Sequence, residues 1–194
     1  MTDIVRCPWP GTDPLYVAYH DTEWGVPEFD SRALWEKLVL DGFQAGLSWI
    51  TILRKREALR NAFAGFDPDK VARFGEADVA RLMNDAGIIR SNAKIAAAID
   101  SARITLSLRD KGVEFRDLIW QVQDQRPQIN HFEAGHIPTE TKTSQELAKL
   151  LKSKGYKFCG PVIVYAFMQA VGMVNDHLVT CFRHAEVAEL MKKA

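Results

Sequence analysis

Apolar positions along this chain recur at helical spacing almost from end to end. Ser31 reads as the cap of a helix running to about Phe43, with Leu34, Leu38 and Asp41 on one stripe. A second helix covers Ser48 to Phe63, and Asp67-Pro68 reads as cap and first-turn proline of a short one. Glu76 to Ala86 follows and stops at Gly87; Ser91 then opens a long helix to about Asp110, ended by Gly112. Phe115 to Val122 is a further short helix. Thr143-Ser144-Gln145-Glu146 resembles a capping box for a helix that Gly155 closes. Pro161 to Ala170 is apolar nearly all round, which predicts a buried helix. No stretch alternates like a strand, and no repeat or low-complexity tract is present. The longest irregular stretch, 124–143, holds Pro127, Gly135, Pro138, His131 and His136, and reads as a surface connection, with a functional loop as the alternative. The pattern predicts an all-α protein.

Composition narrows the class. A chain of 194 residues with 47% apolar and 26% charged residues reads as one large or two small globular, soluble domains with a core, and no linker composition demands two. No apolar run reaches membrane-spanning length, and the first residues lack a signal-type apolar stretch. Three widely spread cysteines argue against a disulfide framework, so the expected compartment is the reducing cytoplasm. The formal net charge is zero, which speaks against a protein held on nucleic acid by bulk electrostatics but leaves room for a local basic face. Two clusters qualify, Arg54, Lys55, Arg56 and Arg60, and Lys149, Lys152, Lys154 and Lys157; each also reads as a solvated helix face.

Chemistry concentrates in a few places. Cys7 and His20 lie near the start, His177 and Cys181 near the end, and the last two stand at i, i+4, the spacing of one helix face. Cys-Cys-His-His is a closed tetrahedral zinc set that leaves no open position for water. The spacing equally allows buried thiols and satisfied core histidines. Asp41 shares the core-facing stripe of Leu34 and Leu38, where a carboxylate is costly unless paired; it reads either as a pocket wall or as a solvent-facing helix end. Gly42 and Gly46 then break the helix, with Leu47 at the tip and Trp49 just inside the next helix. Trp9, Tyr16, Tyr19 and Trp24 flank Cys7 and His20. Around Gly87 the chain turns tightly into the helix starting near Ser91, and exposed amides there, with Arg90 and Lys94, suit a phosphate. The turn resembles a helix-hairpin-helix, with Arg90 in place of its usual second glycine.

Taken together, Tyr16-Val17-Ala18-Tyr19-His20-Asp21-Thr22-Glu23-Trp24-Gly25-Val26-Pro27, Gln44-Ala45-Gly46-Leu47-Ser48-Trp49, Asp85-Ala86-Gly87-Ile88-Ile89-Arg90 and Phe167-Met168-Gln169-Ala170 with Val174-Asn175-Asp176-His177 resemble the 3-methyladenine DNA glycosylase I family. The resemblance spans about Arg6 to Cys181 and leaves the tail from Phe182 uncovered. It implies an all-α, helix-hairpin-helix glycosylase, one unit over 1–194, with a central helical region of about 31–130 that includes the hairpin 85–94. The segments of about 1–30 and 140–182 would form the part joined by one structural Zn2+ on Cys7, His20, His177 and Cys181, with Cys159 left to the core.

The resemblance further implies an aromatic base pocket of Trp9, Tyr16, Tyr19 and Trp49, with Asp41, Tyr19 and Trp49 carrying the chemistry. Gly46 and Leu47 would enter the duplex, and Gly87, Ile89, Arg90, Ser91 and Lys94 would contact DNA. The family usually has Leu-Glu-Gly where this chain reads Leu40-Asp41-Gly42, an acid one methylene shorter. The implied partner is double-stranded DNA with alkylated bases, the product free 3-methyladenine, and the enzyme a monomer without a membrane or an organic cofactor. No lysine is placed for Schiff-base chemistry, so a monofunctional glycosylase is expected; Asp85, near Gly87, reads as a cap or a solvent-exposed acid before a water-activating one, and no water-activating group is assigned. The alternatives are a catalytically silent damage- or DNA-binding protein, a glycosylase for another alkylated base, and a zinc hydrolase or deaminase, which needs an open metal position.

Overall fold

A computed structural model describes residues 4–133 and 137–194. Among them, ten α-helices and one minimal strand pair are present: α1 (Pro14–Thr22), α2 (Ser31–Gln44), α3 (Trp49–Ala62), α4 (Pro68–Val71), α5 (Glu76–Asn84), α6 (Asn92–Arg109), α7 (Phe115–Trp120), β1 (Gln128–Ile129), α8 (Lys142–Lys154), α9 (Pro161–Ala170), β2 (Val174–Asn175) and α10 (Phe182–Met191). The mostly helical expectation holds. The two-residue strands pair in parallel, Gln128 with Val174 and Ile129 with Asn175, which no alternation in so short a stretch could announce.

Local chemistry explains most boundaries. Asp30, rather than Ser31, caps α2, its carboxylate accepting from the Ala33 amide at 2.8 Å. Thr141 caps α8 in a reciprocal box with Ser144, two residues before the expected start, and Gly155 closes the helix in the left-handed conformation. α5 stops at Asn84, short of the expected Ala86, because Asp85 is already extended. Two helices were not anticipated. In α1, Asp13 accepts from the Leu15 and Tyr16 amides and Pro14 holds the first position, a start signal legible in the sequence. α10 occupies the tail and buries Val187 and Met191. His177 and Cys181 do not share a helix face: they lie in the turn between β2 and α10, with Cys181 at the cap of α10.

α2 is the central helix. It packs on α3, α6, α7 and α9, and its Leu34, Trp35, Leu40 and Phe43 are fully buried. The buried indole of Trp35 donates to Ser101 Oγ at 3.0 Å, and that of Trp120 to Glu28 O at 3.0 Å. α9 lies across α2 and leads into Gly172, whose φ is +66°. A Cβ there would stand 2.4 Å from Val26 C and Pro27 N, so the exit of α9 packs backbone to backbone on segment 25–28. The Glu28 amide donates to Val171 O at 3.0 Å in the same contact. This brings the first thirty residues beside the α9–β2 connection. Within the irregular stretch, Phe132 and Ile137 pack on Cys7, Leu178 and Cys181, so it is a cover as well as a connection; Gly135 and His136 lie outside the described residues.

Candidate functional site

The chain ends meet at a buried donor cluster. One ligand atom from each of Cys7, His20, His177 and Cys181 falls within 4.8 Å of the others. Cys7 Sγ is 3.7 Å from His177 Nδ1, and Cys181 Sγ is 3.5 Å from His20 Nε2 and 3.7 Å from His177 Nδ1. A tetrahedral zinc with sulfur at about 2.3 Å and nitrogen at about 2.0–2.1 Å places unlike donors about 3.6 Å apart, so the set fits one ion. The outer ring nitrogens are held: His20 Nδ1 lies 2.8 Å from Asp21 Oδ1, and His177 Nε2 lies 3.0 Å from Trp24 O. Asp21 is gripped in turn by Arg6 at 2.7–2.9 Å. Four inward protein donors would leave no coordination position for a substrate.

Beside this cluster opens a cavity of about 240 Å³ lined by aromatic and polar groups. Trp9, Tyr16, Tyr19 and Trp24 come from the N-terminal segment and α1, Asp41 and Gln44 from α2, Trp49 from α3, and Gln169 from α9. Ring centroids stand 4.9 Å apart for Trp9 and Tyr16 and 5.5 Å for Tyr19 and Trp49. Asp41 is 1% exposed, so the stripe with Leu34 and Leu38 does face inward. Three polar atoms of this lining are buried without a hydrogen-bond partner among the described residues: Trp9 Nε1, Trp49 Nε1 and Asp41 Oδ2. Burial raises the Asp41 carboxyl above its ordinary range, opposed by Lys37. Burial, reinforced by Asp41, holds the Tyr19 phenol well above its usual value, so it is a neutral hydroxyl.

The loop after α2 projects an apolar tip. Gly46 has φ +79°, and Leu47 beside it is 42% exposed. The hairpin between α5 and α6 lies next to it. Asp85 accepts from the Gly87 amide at 2.7 Å, which makes its carboxylate the cap of its own turn and keeps it out of the aromatic cavity. Ser91 makes no side-chain cap, so the first amides of α6 keep no side-chain partner, and Arg90 is exposed with no ion pair among the described residues. The Lys94 ammonium donates to Phe43 O and Ala45 O. Lys55 likewise donates to Ala86 O and Gly87 O. Arg54, Arg56 and Arg60 pair with Asp13, Glu23 and Glu36. The basic cluster of α3 is therefore engaged in internal contacts.

The sequence model of the methyladenine glycosylase family matches residues 9–184. The chain belongs to this family. DNA-3-methyladenine glycosylase 1 of Escherichia coli (strain K12) is 52% identical over 177 residues, 91% of this chain and 95% of that protein. A crystal structure of a 3-methyladenine DNA glycosylase I, also 52% identical, superposes with a TM-score of 0.90 over 92% of this chain and 98% of its own. A structure of the Staphylococcus aureus 3-methyladenine DNA glycosylase I, addressing 3-methyladenine recognition, is 38% identical, with a TM-score of 0.88 over 91% and 95%.

Within this methyladenine glycosylase fold, the site contains residues that sequence reasoning did not single out. Lys37 lines the cavity and binds Asp41; a Lys four residues before an Asp normally reads as a surface pair, and only the buried stripe could have flagged it. Gln169 lines the cavity and donates to Asp176 Oδ2 at 2.8 Å, which also takes the Tyr165 hydroxyl at 2.6 Å. Asp176 immediately precedes His177, so this network joins the cavity wall to the turn that carries His177 and Cys181. Ile137 reaches the cavity from the irregular stretch.

Proposed function

We infer that this protein releases 3-methyladenine from alkylated double-stranded DNA by hydrolysing its N-glycosidic bond, the first step of base-excision repair. The observation that carries the reading is the aromatic cavity with two unpartnered indole N–H donors and one unpartnered carboxylate oxygen. An adenine offers the complement: an exocyclic amine to donate and ring nitrogens to accept. At about 240 Å³ the cavity lies below the roughly 300–1,000 Å³ of pockets for drug-sized ligands, as suits a single base.

Adenine methylated at N3 in DNA is cationic, and its glycosidic bond is already weakened. The enzyme needs to extrude and hold the base more than to protonate it. Extrusion costs a few kcal/mol, least for a damaged base. The exposed Leu47 at the Gly46 turn enters the gap left in the duplex, as apolar wedges do. The base stacks among Trp9, Tyr16, Tyr19 and Trp49, where a cation over an indole gains about 0.5–2 kcal/mol. Asp41 Oδ2 accepts from the exocyclic amine. Neutral adenine forfeits the charge-dependent part of both interactions, so the lesion is preferred without steric exclusion of the normal base. Water attacks C1′, the base leaves, and an abasic site remains. Among the described residues Lys37 is the only lysine lining the cavity, and its ammonium is bound to Asp41, so the strand stays intact.

The helix-hairpin-helix reading assigns DNA contacts to the amides from Gly87 through Ile89 to Ser91 and to the Arg90 guanidinium, which position the duplex without reading its sequence. Cys7, His20, His177 and Cys181 would hold a structural Zn2+, which supplies a cross-link between the chain ends. The closed donor set disfavours the hydrolase or deaminase reading. A zero net charge supports weak binding to undamaged DNA, a monomeric enzyme fits a site complete within one chain, and the cytoplasm suits free cysteines. No described helix is long and apolar enough to cross a membrane.

The deciding experiment is base release from methylated duplex DNA, resolved by chromatography, for wild type and Asp41→Asn. Wild type is expected to release 3-methyladenine. Asp41→Asn is expected to lose about 10–150-fold, the equivalent of one hydrogen bond to a charged group at about 1.5–3 kcal/mol. No release by a folded, metal-loaded wild type would make this a damage-binding protein or a glycosylase for another lesion.

A further inference from the structure

Lys37 precedes Asp41 by one turn of α2, and its Nζ donates to Asp41 Oδ1 at 2.5 Å. The same ammonium stands 3.9 Å from the centre of the Trp49 ring. The Lys37 side chain is 14% exposed. It lies between two cavities, lining both the aromatic one and a second of about 260 Å³ bounded by the same Tyr19 and Trp49. One oxygen of Asp41 is thus committed to Lys37, while the other is buried and unpartnered in a residue that lines the pocket. Burial on its own favours the neutral acid and the neutral amine. Here burial raises the Asp41 carboxyl and lowers the Lys37 ammonium, and each opposes the shift of the other.

We propose that Lys37 is a positioning residue for base recognition: it holds Asp41 ionised and engages Oδ1, so that Oδ2 is left to accept from the exocyclic amine of the base. The proposal rests on the base-excision reading and extends it to a residue outside the aromatic set. It gives the shorter acid of this chain a fixed orientation. It also balances the charge of the pocket before the base arrives, so the charge-dependent part of selection acts through the Oδ2 hydrogen bond and the aromatic faces rather than through a bare anion.

The surrounding charges leave this role to Lys37. From the end of α1, Glu23 faces the pair, but it is bound by Arg56 of α3 at 2.5 and 2.9 Å, and the two act on Lys37 in opposite directions. Tyr19 of α1 presents a neutral phenol. α9 contributes only Ala166, Gln169 and Ala170 to the cavity. On Asp41 itself, Lys37 is the one group among the described residues that opposes protonation.

The test is single-turnover release of 3-methyladenine from methylated duplex DNA between about pH 5 and about pH 9 for wild type, Lys37→Met, Lys37→Arg and Asp41→Asn, with uncatalysed release subtracted. In parallel, carboxyl 13C NMR follows the Asp41 titration in the free proteins. Lys37→Met is expected to move the acidic limb and the Asp41 midpoint upward by about one unit or more, with about tenfold less release below the limb and recovery above it. Lys37→Arg is expected to keep the wild-type limb, and Asp41→Asn to be slow at every pH. A Lys37→Met profile parallel to wild type, with an unmoved Asp41 midpoint, would overturn the proposal and leave Lys37 a packing residue. Absence of release by wild type, with the midpoint still shifting in Lys37→Met, would instead overturn the base-excision reading and leave the electrostatic link between the two residues standing.

Discussion

Lys94, at the start of α6, donates to Phe43 O at 2.8 Å and to Ala45 O at 2.6 Å, at the far end of α2. The ammonium satisfies carbonyls that a helix end leaves without partners, and it pins the Gly46–Leu47 loop against the hairpin. The exposed Leu47 tip and the α5–α6 turn are thereby held as one surface. Lys94 and Arg90, both read from the sequence as phosphate ligands, should therefore differ in their salt dependence. Arg90→Ala is expected to reduce the slope of log affinity against log salt by about one. Lys94→Met is expected to weaken binding with the slope unchanged. Fluorescence anisotropy on an abasic duplex over a salt series measures both; equal slope changes would return Lys94 to the phosphate contacts.

Metal removal tests the donor cluster. Cys7 lies two residues before Trp9, and His20 follows Tyr19, so the four donor residues are tied to two walls of the aromatic cavity. Cys181→Ser, or chelation, is expected to lower stability by about 3 kcal/mol, roughly 6–12 °C in Tm for a chain of this size. Free 3-methyladenine binding should fall with it, while far-UV circular dichroism stays largely helical because α2 to α9 do not depend on the ligands. Calorimetry and metal analysis check this. An unchanged Tm together with substoichiometric zinc in the purified wild type would remove the metal from the account.

Leu47→Ala should separate extrusion from recognition. The side chain is exposed and lies outside the cavity lining, so its loss leaves the pocket intact. Release from duplex DNA is expected to fall about tenfold, and binding of the free base to stay as in wild type, because only the duplex must be opened. Equal losses in both assays would mean that the loop shapes the pocket instead.

What could be read from the sequence was local. Pro161 to Ala170 is a helix to the residue, because proline can open a helix and the glycine after its end can leave it. Asp67-Pro68 opens α4 as read. The stripe of Leu34 and Leu38 left Asp41 two readings, and its burial shows the inward one. What escaped was tertiary. His177 and Cys181 have helical spacing, yet a turn sets them, since β2 ends at Asn175 and α10 begins only at Phe182. Lys37, Lys55 and Lys94 look like surface charges in one dimension; each is used inside the fold by a partner that spacing does not reveal, or that it reveals only once burial is known.

The Lys37–Asp41 pair also predicts where function and stability diverge. Breaking a buried ion pair by removing one partner strands the other, whereas replacing both by apolar groups is often neutral or stabilising. Asp41→Leu alone is therefore expected to lose about 3–5 kcal/mol at neutral pH. That loss should shrink as pH rises. The stranded Lys37 has a folded-state pKa below its unfolded value, already lowered by burial in wild type, so the unfolded chain binds the extra proton and stability climbs with pH up to the ordinary lysine range. The double variant Lys37→Met with Asp41→Leu is expected to be as stable as wild type or more so, by up to about 4 kcal/mol, with no such pH dependence, and to release no base. Urea unfolding of the three proteins at two pH values decides it. A double variant as unstable as Asp41→Leu would show that the pair contributes to the fold as well as to the site.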